Sequence, residues 1–207
     1  MNIAIIDYGS GNLRSAEKAF ARCAPDRKLY VTGDPDIVAR ADHIVLPGVG
    51  AFGDCAQGLA AIDGLHAALE ARVVDEGRPF LGICVGMQLM CATGTERGEH
   101  KGLGWFAGSV DALDVAPPLK VPHMGWNTLQ MCAHHTVLDG LNGADFYFVH
   151  GYAARPKNQT EIVAETDYDG RIVASLARDN MIGTQFHPEK SQAAGLRLIE
   201  NFVNWKP

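Results

Sequence analysis

The sequence predicts an α/β fold built on a mostly parallel sheet, and three observations carry that prediction. The first half alternates short apolar runs with helical segments, several of those runs end in glycine-rich turns, and the second half changes to closely spaced strands that close on one amphipathic helix. Buried runs alternating with helices imply βαβ units and a sheet covered on both faces. The strand-rich second half implies an antiparallel extension. The expected architecture over 1–207 is a single three-layer domain, a mostly parallel sheet flanked by helices.

In the first half, the apolar run at 2–7 is followed by the turn Tyr8-Gly9-Ser10-Gly11-Asn12. A helix is expected over 13–22, where Leu13, Ala16, Ala19 and Phe20 fall at helical spacing. Two more strands are expected at 29–32 and 43–46, the second closed by Pro47-Gly48. Helical material interrupted by glycines fills 52–76. The run 79–83 is a strand that leads through Gly82 and Gly86 straight into the helical segment MQLMCAT, residues 87–93. In the second half, strands are expected over 105–113, 125–130, 146–150, 162–168 and 172–177. Asp169-Gly170 between the last two is a hairpin signal. A further strand at 181–186 precedes a closing helix over 191–205, with Leu196, Ile199, Phe202 and Val203 on one face.

Of 207 residues, 18 are basic and 24 acidic, for a net charge of −6. Nucleic acid and anionic membrane both select a basic footprint, so neither is an expected partner. No apolar stretch approaches the roughly 18 residues of a membrane span. The N-terminus has no basic region before its apolar run, so no export signal is expected. The five cysteines form no CxxC pair, which argues against a zinc knuckle or dithiol motif and for a reducing cytoplasm. No metal or cofactor pattern is evident among the histidine spacings.

The segment Pro79-Phe80-Leu81-Gly82-Ile83-Cys84-Val85-Gly86-Met87-Gln88 is the strongest chemical signal. It is a buried strand, then G-x-C-x-G, then a helix: a nucleophile elbow with cysteine in place of serine. The flanking glycines let the backbone reverse tightly around the sulfur. A free thiol with pKa about 8.5 is only ~3% thiolate at pH 7, and a helix N-terminus aimed at the sulfur helps form the anion.

Such a nucleophile needs a base, and histidine is the first candidate. Of the eight histidines, His187 ends a strand in Gln185-Phe186-His187-Pro188-Glu189-Lys190, where Glu189 is placed to orient the imidazole. His123, in Val121-Pro122-His123-Met124-Gly125-Trp126-Asn127, and His150, in Tyr147-Phe148-Val149-His150-Gly151-Tyr152, remain alternatives. Leu46-Pro47-Gly48-Val49-Gly50-Ala51-Phe52-Gly53 is a second glycine-rich strand end, suited to backbone N–H groups that approach an oxyanion.

Together these motifs resemble the class I (triad-type) glutamine amidotransferases. The resemblance runs from IIDYGSGNL through LPGVGAFGD, LGICVGMQLM, VPHMGWN and YFVHGY to QFHPEKS, nearly the whole chain. DYGSGN, PGVGAFGD and VPHMGWN narrow it to glutaminase subunits that serve the cyclase of histidine biosynthesis. It implies a flavodoxin-like fold and a triad of Cys84, His187 and Glu189 acting on L-glutamine through a thioester at Cys84. It implies oxyanion donors on the backbone of Val85, Val49 and Gly50, in a loop whose rearrangement completes the hole. The isolated chain is therefore expected to be silent.

Gly48, Gln88, Glu96, Gly151 and Tyr152 match positions that bind glutamine, and Asn12, Trp126 and Lys190 lie in motifs that face the partner. That partner is expected to be a (β/α)₈ barrel in a heterodimer with this chain. Two departures stand out: Val85 where the family commonly has leucine, and Gly151 where it has serine. The alternatives are another triad amidotransferase subunit, such as that of anthranilate synthesis, and a non-catalytic binding module that would show a broken triad.

Overall fold

The computed structural model describes all 207 residues. The first half contains β1 (Asn2–Ile6), α1 (Leu13–Cys23), β2 (Lys28–Thr32), α2 (Pro35–Val38), β3 (His43–Gly48), α3 (Phe52–Ala60), α4 (Leu65–Leu69), β4 (Phe80–Cys84) and α5 (Val85–Leu89). The second half contains β5 (Cys91–Gly94), β6 (His100–Lys101), β7 (Phe106–Ala112), β8 (His123–Thr128), β9 (Gln130–Met131), β10 (Asp145–His150), β11 (Tyr152–Pro156), β12 (Ile162–Asp167), β13 (Arg171–Arg178), β14 (Met181–Thr184) and α6 (Gln192–Asn204).

The central sheet has eight strands in the order β2-β1-β3-β4-β14-β13-β12-β9. The pairings from β2 to β14 are parallel, and those from β14 to β9 antiparallel. All residues of β3 and β4 are buried, which is why they read as continuous apolar runs rather than alternating ones. The strand β14 comes late in the chain yet lies parallel beside β4, with Thr184 opposite Ile83. That return brings the end of the sequence to the elbow.

The remaining strands form two smaller units. One is a four-stranded sheet in the order β11-β7-β5-β6, and the other the two-stranded ribbon β10-β8. Burial alternates along β10 and β8, so His123, Phe146, Phe148 and His150 turn inward while Met124 and Trp126 turn out. The register sets His150 opposite His123 and Tyr147 opposite Trp126. On the helical side, α1 buries Ala16, Ala19 and Phe20, and Phe20 meets Phe202 of α6 edge-on at 6.3 Å between ring centres. A contiguous cluster of 54 buried apolar residues spans both halves, so one core serves the α/β part and the antiparallel extension together. No helix is long and apolar enough to cross a membrane.

The helical material over 52–76 is interrupted at a glycine as expected: α3 ends at Ala60, Gly64 takes a left-handed φ of 76° before α4, and a wide π turn covers Glu70–Asp75. One expectation needs correction: the helix after Cys84 is short, five residues instead of a run through Met87–Thr93, because Cys91–Gly94 pairs as a strand with β7. Sheet pairing there outweighs helical spacing. The short strands β5, β6, β9 and β11 are not evident in the sequence pattern. The Asp169-Gly170 hairpin is present, both residues having positive φ.

Candidate active site

Three adjacent parallel strands, β3, β4 and β14, end at one edge of the central sheet, where open α/β sheets place their sites. Cys84 stands at the end of β4 with φ 55° and ψ −111°. That is a strained conformation for a residue with a side chain, worth roughly 1–3 kcal/mol, and the surrounding packing holds it. Gly48, the last residue of β3, lies opposite Cys84 in register. A β-carbon on Gly82 would stand 2.7 Å from the carbonyl oxygen of Gly86, so this glycine is there for a close backbone approach.

His187 follows β14 by three residues and is almost completely buried. Its main chain is held from both sides: its N–H donates to Tyr147 O at 2.9 Å, and its carbonyl accepts from Ser191 Oγ at 2.6 Å. The ring is held by Glu189, whose Oε1 lies 2.8 Å from His187 Nδ1. Burial alone would lower the imidazole pKa, but the neighbouring Cys84 thiol and Glu189 carboxylate outweigh it and push it up to about 10. The other ring nitrogen, Nε2, is buried with no hydrogen-bond partner. With Nδ1 taken by the carboxylate, Nε2 is the atom left to exchange a proton with a sulfur or a substrate.

The two rival histidines are occupied. His150 Nδ1 lies 3.0 Å from Tyr152 O, which can only accept, so that nitrogen carries the proton. His150 Nε2 must then accept from His123 Nδ1, 3.0 Å away, and His123 Nε2 faces the Asn127 amide nitrogen at 3.3 Å. Burial lowers both pKa values to about 4, so both rings are neutral at pH 7 with their lone pairs in use. Of the three rings, only His187 keeps a nitrogen without a hydrogen-bond partner.

A cavity of about 250 Å³ opens over this edge. Cys84, His187, Val85, Val49, Gly50, Gln88, Glu96, Gly151 and Tyr152 all line it, as do Pro122, Val149 and His150. Gly48 does not line it. A β-carbon there would fall within 3 Å of Gly86 N, Tyr8 Oη and Val85, so the structure uses this glycine to pack the loop onto the elbow.

A strained cysteine, a carboxylate-held histidine and a cavity sized for a small molecule describe nucleophilic acyl chemistry. The sequence model of the glutamine amidotransferase class-I family matches residues 4–205. The chain belongs to this family. Imidazole glycerol phosphate synthase subunit HisH of Ruegeria pomeroyi is 55% identical, and its counterpart in Rhodospirillum rubrum 53%, each over the full length of both chains. Among solved structures, PurLQS from Thermotoga maritima matches with a TM-score of 0.75 at 18% identity, covering 98% of this chain and 97% of that one. A crystal structure described as a glutamine amidotransferase matches with a TM-score of 0.73 at 17% identity, covering 97% and 96%. At these identities the structural likeness speaks for the fold.

In this amidotransferase, Glu96 reaches the cavity while its Oε2 accepts from the Phe52 N–H at 2.9 Å, tying the wall to the start of α3. Gln88 is buried, and its amide nitrogen donates to Tyr152 O at 3.0 Å and to Gln185 Oε1 at 3.1 Å. Gln185 was not singled out in the sequence. The signal for it is period two, because residues 185 and 187 at a strand end share a side. Burial raises the thiols of Cys23, to about 11, and Cys91, to about 12, and raises those of Cys55 and Cys132. These four are therefore poor nucleophiles at neutral pH. Of the expected docking residues, Trp126 meets Tyr147 edge-on and Lys190 lies over the Tyr147 ring, which groups the two on one surface. Asn12 starts α1 with no side-chain cap bond.

Proposed function

We propose that this amidotransferase hydrolyses L-glutamine to glutamate and ammonia, as the glutaminase subunit of imidazole glycerol phosphate synthase. The observation that carries the reading is the juxtaposition, across one cavity, of Cys84 in its strained elbow with the His187–Glu189 pair. The full-length identity to subunits of that synthase supports the choice within the family.

Cys84 Sγ attacks the side-chain amide carbon of glutamine, and His187 carries the proton from Nε2 to the departing ammonia. Glu189 holds the ring in the tautomer and orientation that this transfer needs. The thioester is hydrolysed by water with the same histidine acting in reverse. Backbone N–H groups of Val85, Val49 and Gly50 stabilise the oxyanion, and Gln88, Glu96, Gly151 and Tyr152 bind the amino-acid part. Gly151, with no hydroxyl, contributes through its main chain.

Free ammonia in neutral water is mostly ammonium and has no lone pair to give. A product meant as a nucleophile is therefore passed on without release. The recipient is a cyclase subunit of (β/α)₈ form, docked on the side of Trp126 and Lys190 as a heterodimer in the cytoplasm. It uses the ammonia to make imidazole glycerol phosphate and aminoimidazole carboxamide ribotide. The net charge of −6 suits a small-molecule substrate and a protein partner rather than a nucleic acid or an anionic membrane.

The test is glutamate release from glutamine, with and without the cyclase and its ribotide. Activity is expected in the complex and little in the isolated chain. Cys84→Ala should abolish it while ammonium salts still support synthesis by the complex. Glutaminase activity that survives Cys84→Ala would remove the nucleophile assignment.

A further inference from the structure

We propose that Gln185 is a positioning residue for Cys84, the last link of a hydrogen-bond chain that begins at Asn127 on the β8–β10 ribbon. The identity of the substrate rests on the glutaminase reading; the chain of bonds does not.

The links are continuous. Asn127 Nδ2 lies 3.3 Å from His123 Nε2, His123 Nδ1 3.0 Å from His150 Nε2, and His150 Nδ1 3.0 Å from Tyr152 O. The same carbonyl accepts from Gln88 Nε2 at 3.0 Å. The other Gln88 N–H donates to Gln185 Oε1 at 3.1 Å, and Gln185 Nε2 reaches Cys84 Sγ at 3.8 Å. Tyr152 O cannot donate, and that fact sets the direction of every bond on its histidine side. On the other side, Gln88 spends both amide hydrogens on the protein. It is left with only its carbonyl oxygen to offer the cavity, as an acceptor.

Gln185 is fully buried at a strand end, where an apolar side chain would fill the space without needing partners. A buried amide is retained at low cost only if both its ends are bonded, and here one end fixes Gln88 and the other the nucleophile. Rings and amides in such a chain have discrete settings, because turning one over exchanges a donor for an acceptor and breaks the next bond. The far end is well placed to be disturbed. His123 and Asn127 alternate along β8 with Met124 and Trp126, which point outward and are 63% and 50% exposed. Whatever presses on that surface moves the first link.

The experiment measures the rate at which Cys84 in the full chain is labelled, read by peptide mass mapping. Iodoacetamide reports the sulfur alone, and a glutamine chloroketone reports sulfur and recognition together. Gln185→Met removes both bonds at similar volume and should slow iodoacetamide labelling about tenfold, the scale of one hydrogen bond. His123→Phe keeps the stack on Phe148 and Tyr168 but cuts the chain and should slow it about threefold.

The double variant should match Gln185→Met within about twofold, since the distant cut is no longer felt once the near one is made. Rates that multiply, to about thirtyfold, would show independent structural effects and overturn the proposal. So would labelling of Gln185→Met within twofold of the parent. If Gln185→Met does not fold, Gln185→Glu takes its place: it still accepts from Gln88, gives the sulfur no donor, and should slow labelling at least as much. If Cys84 reacts with iodoacetamide but not with the chloroketone even in the complex with the cyclase and its ribotide, the glutaminase reading fails while the chain of bonds has still been tested.

Discussion

The carbonyl oxygen of Leu46 lies 1.8 Å from the point where a β-carbon on Gly86 would stand. The neighbouring strand β3 thus presses its main chain directly onto the elbow, and this contact, together with the Gly82–Gly86 approach, holds Cys84 in a left-handed backbone. Gly86→Ala forces one of the two main chains to move. It should cost about 3 kcal/mol or more and take glutamine hydrolysis with it. Urea unfolding checks this, and a loss below about 1 kcal/mol would mean that the elbow yields easily.

Glu189 orients His187 and raises its proton affinity. Glu189→Gln keeps the shape and removes the charge. It should lower kcat for glutamine hydrolysis on the order of 10²–10⁴-fold with little change in folding, as measured by steady-state kinetics on the complex.

The same imidazole links stability to pH. Its folded pKa, about 10, lies above the unfolded value near 6.5, so the folded state binds the extra proton. That contribution is complete below about pH 6.5 and is lost as the pH rises toward about 10. The difference in urea stability between the parent and His187→Gln should therefore shrink across this window. A difference that stays flat would mean that the ring is not held protonated.

Four other histidines act in the opposite sense. Burial lowers His43, His123, His135 and His150 to about 4, so the unfolded chain takes up protons that the folded chain refuses. Stability should fall as the pH drops from about 6.5 to about 4. His43, which contacts Trp205 O at 3.2 Å far from the cavity, allows a clean test. His43→Gln should make this acid slope shallower, as followed by urea midpoints at several pH values.

Trp126 and Met124 are large apolar side chains left in solvent, the kind of surface on which the proposed docking of the cyclase can be tested. Trp126→Ala should raise the Kd for the cyclase at least about tenfold, as expected for a buried aromatic anchor. Calorimetric titration gives the value, and unchanged affinity would move the docking surface elsewhere.

Much of this was legible before the fold was known. Cys84 stood out because a strand, two glycines and a helix start are all local features, and local features are what sequence patterns report. The pairing of His187 with Glu189 was legible for the same reason, since the two are two residues apart. The choice of His187 over His123 and His150 rests, in the sequence, on the family resemblance alone. In the structure it depends on Tyr152 offering a carbonyl to His150, and on β14 inserting beside β4, which no local pattern encodes. Gln185 is faint in the sequence because its one signal is the side it shares with His187 at a strand end, and composition adds none. The helix after Cys84 is shorter than its local pattern implies because pairing with β7 claims Cys91–Gly94.

The cavity lies on a seam. Cys84 and the strand end before His187 belong to the central sheet, whereas Tyr152 opens β11 and the peptide leaving Gln88 enters β5, both in the four-stranded sheet. Bond-making therefore rests on the central sheet, while much of the cavity wall is carried by the four-stranded sheet, with the short helix α5 running between them. A lineage can reshape the recognising sheet by mutation, loop insertion or a new docked neighbour and leave the reacting atoms where they are. One set of reacting groups can in that way be placed in the service of many different acceptors of ammonia.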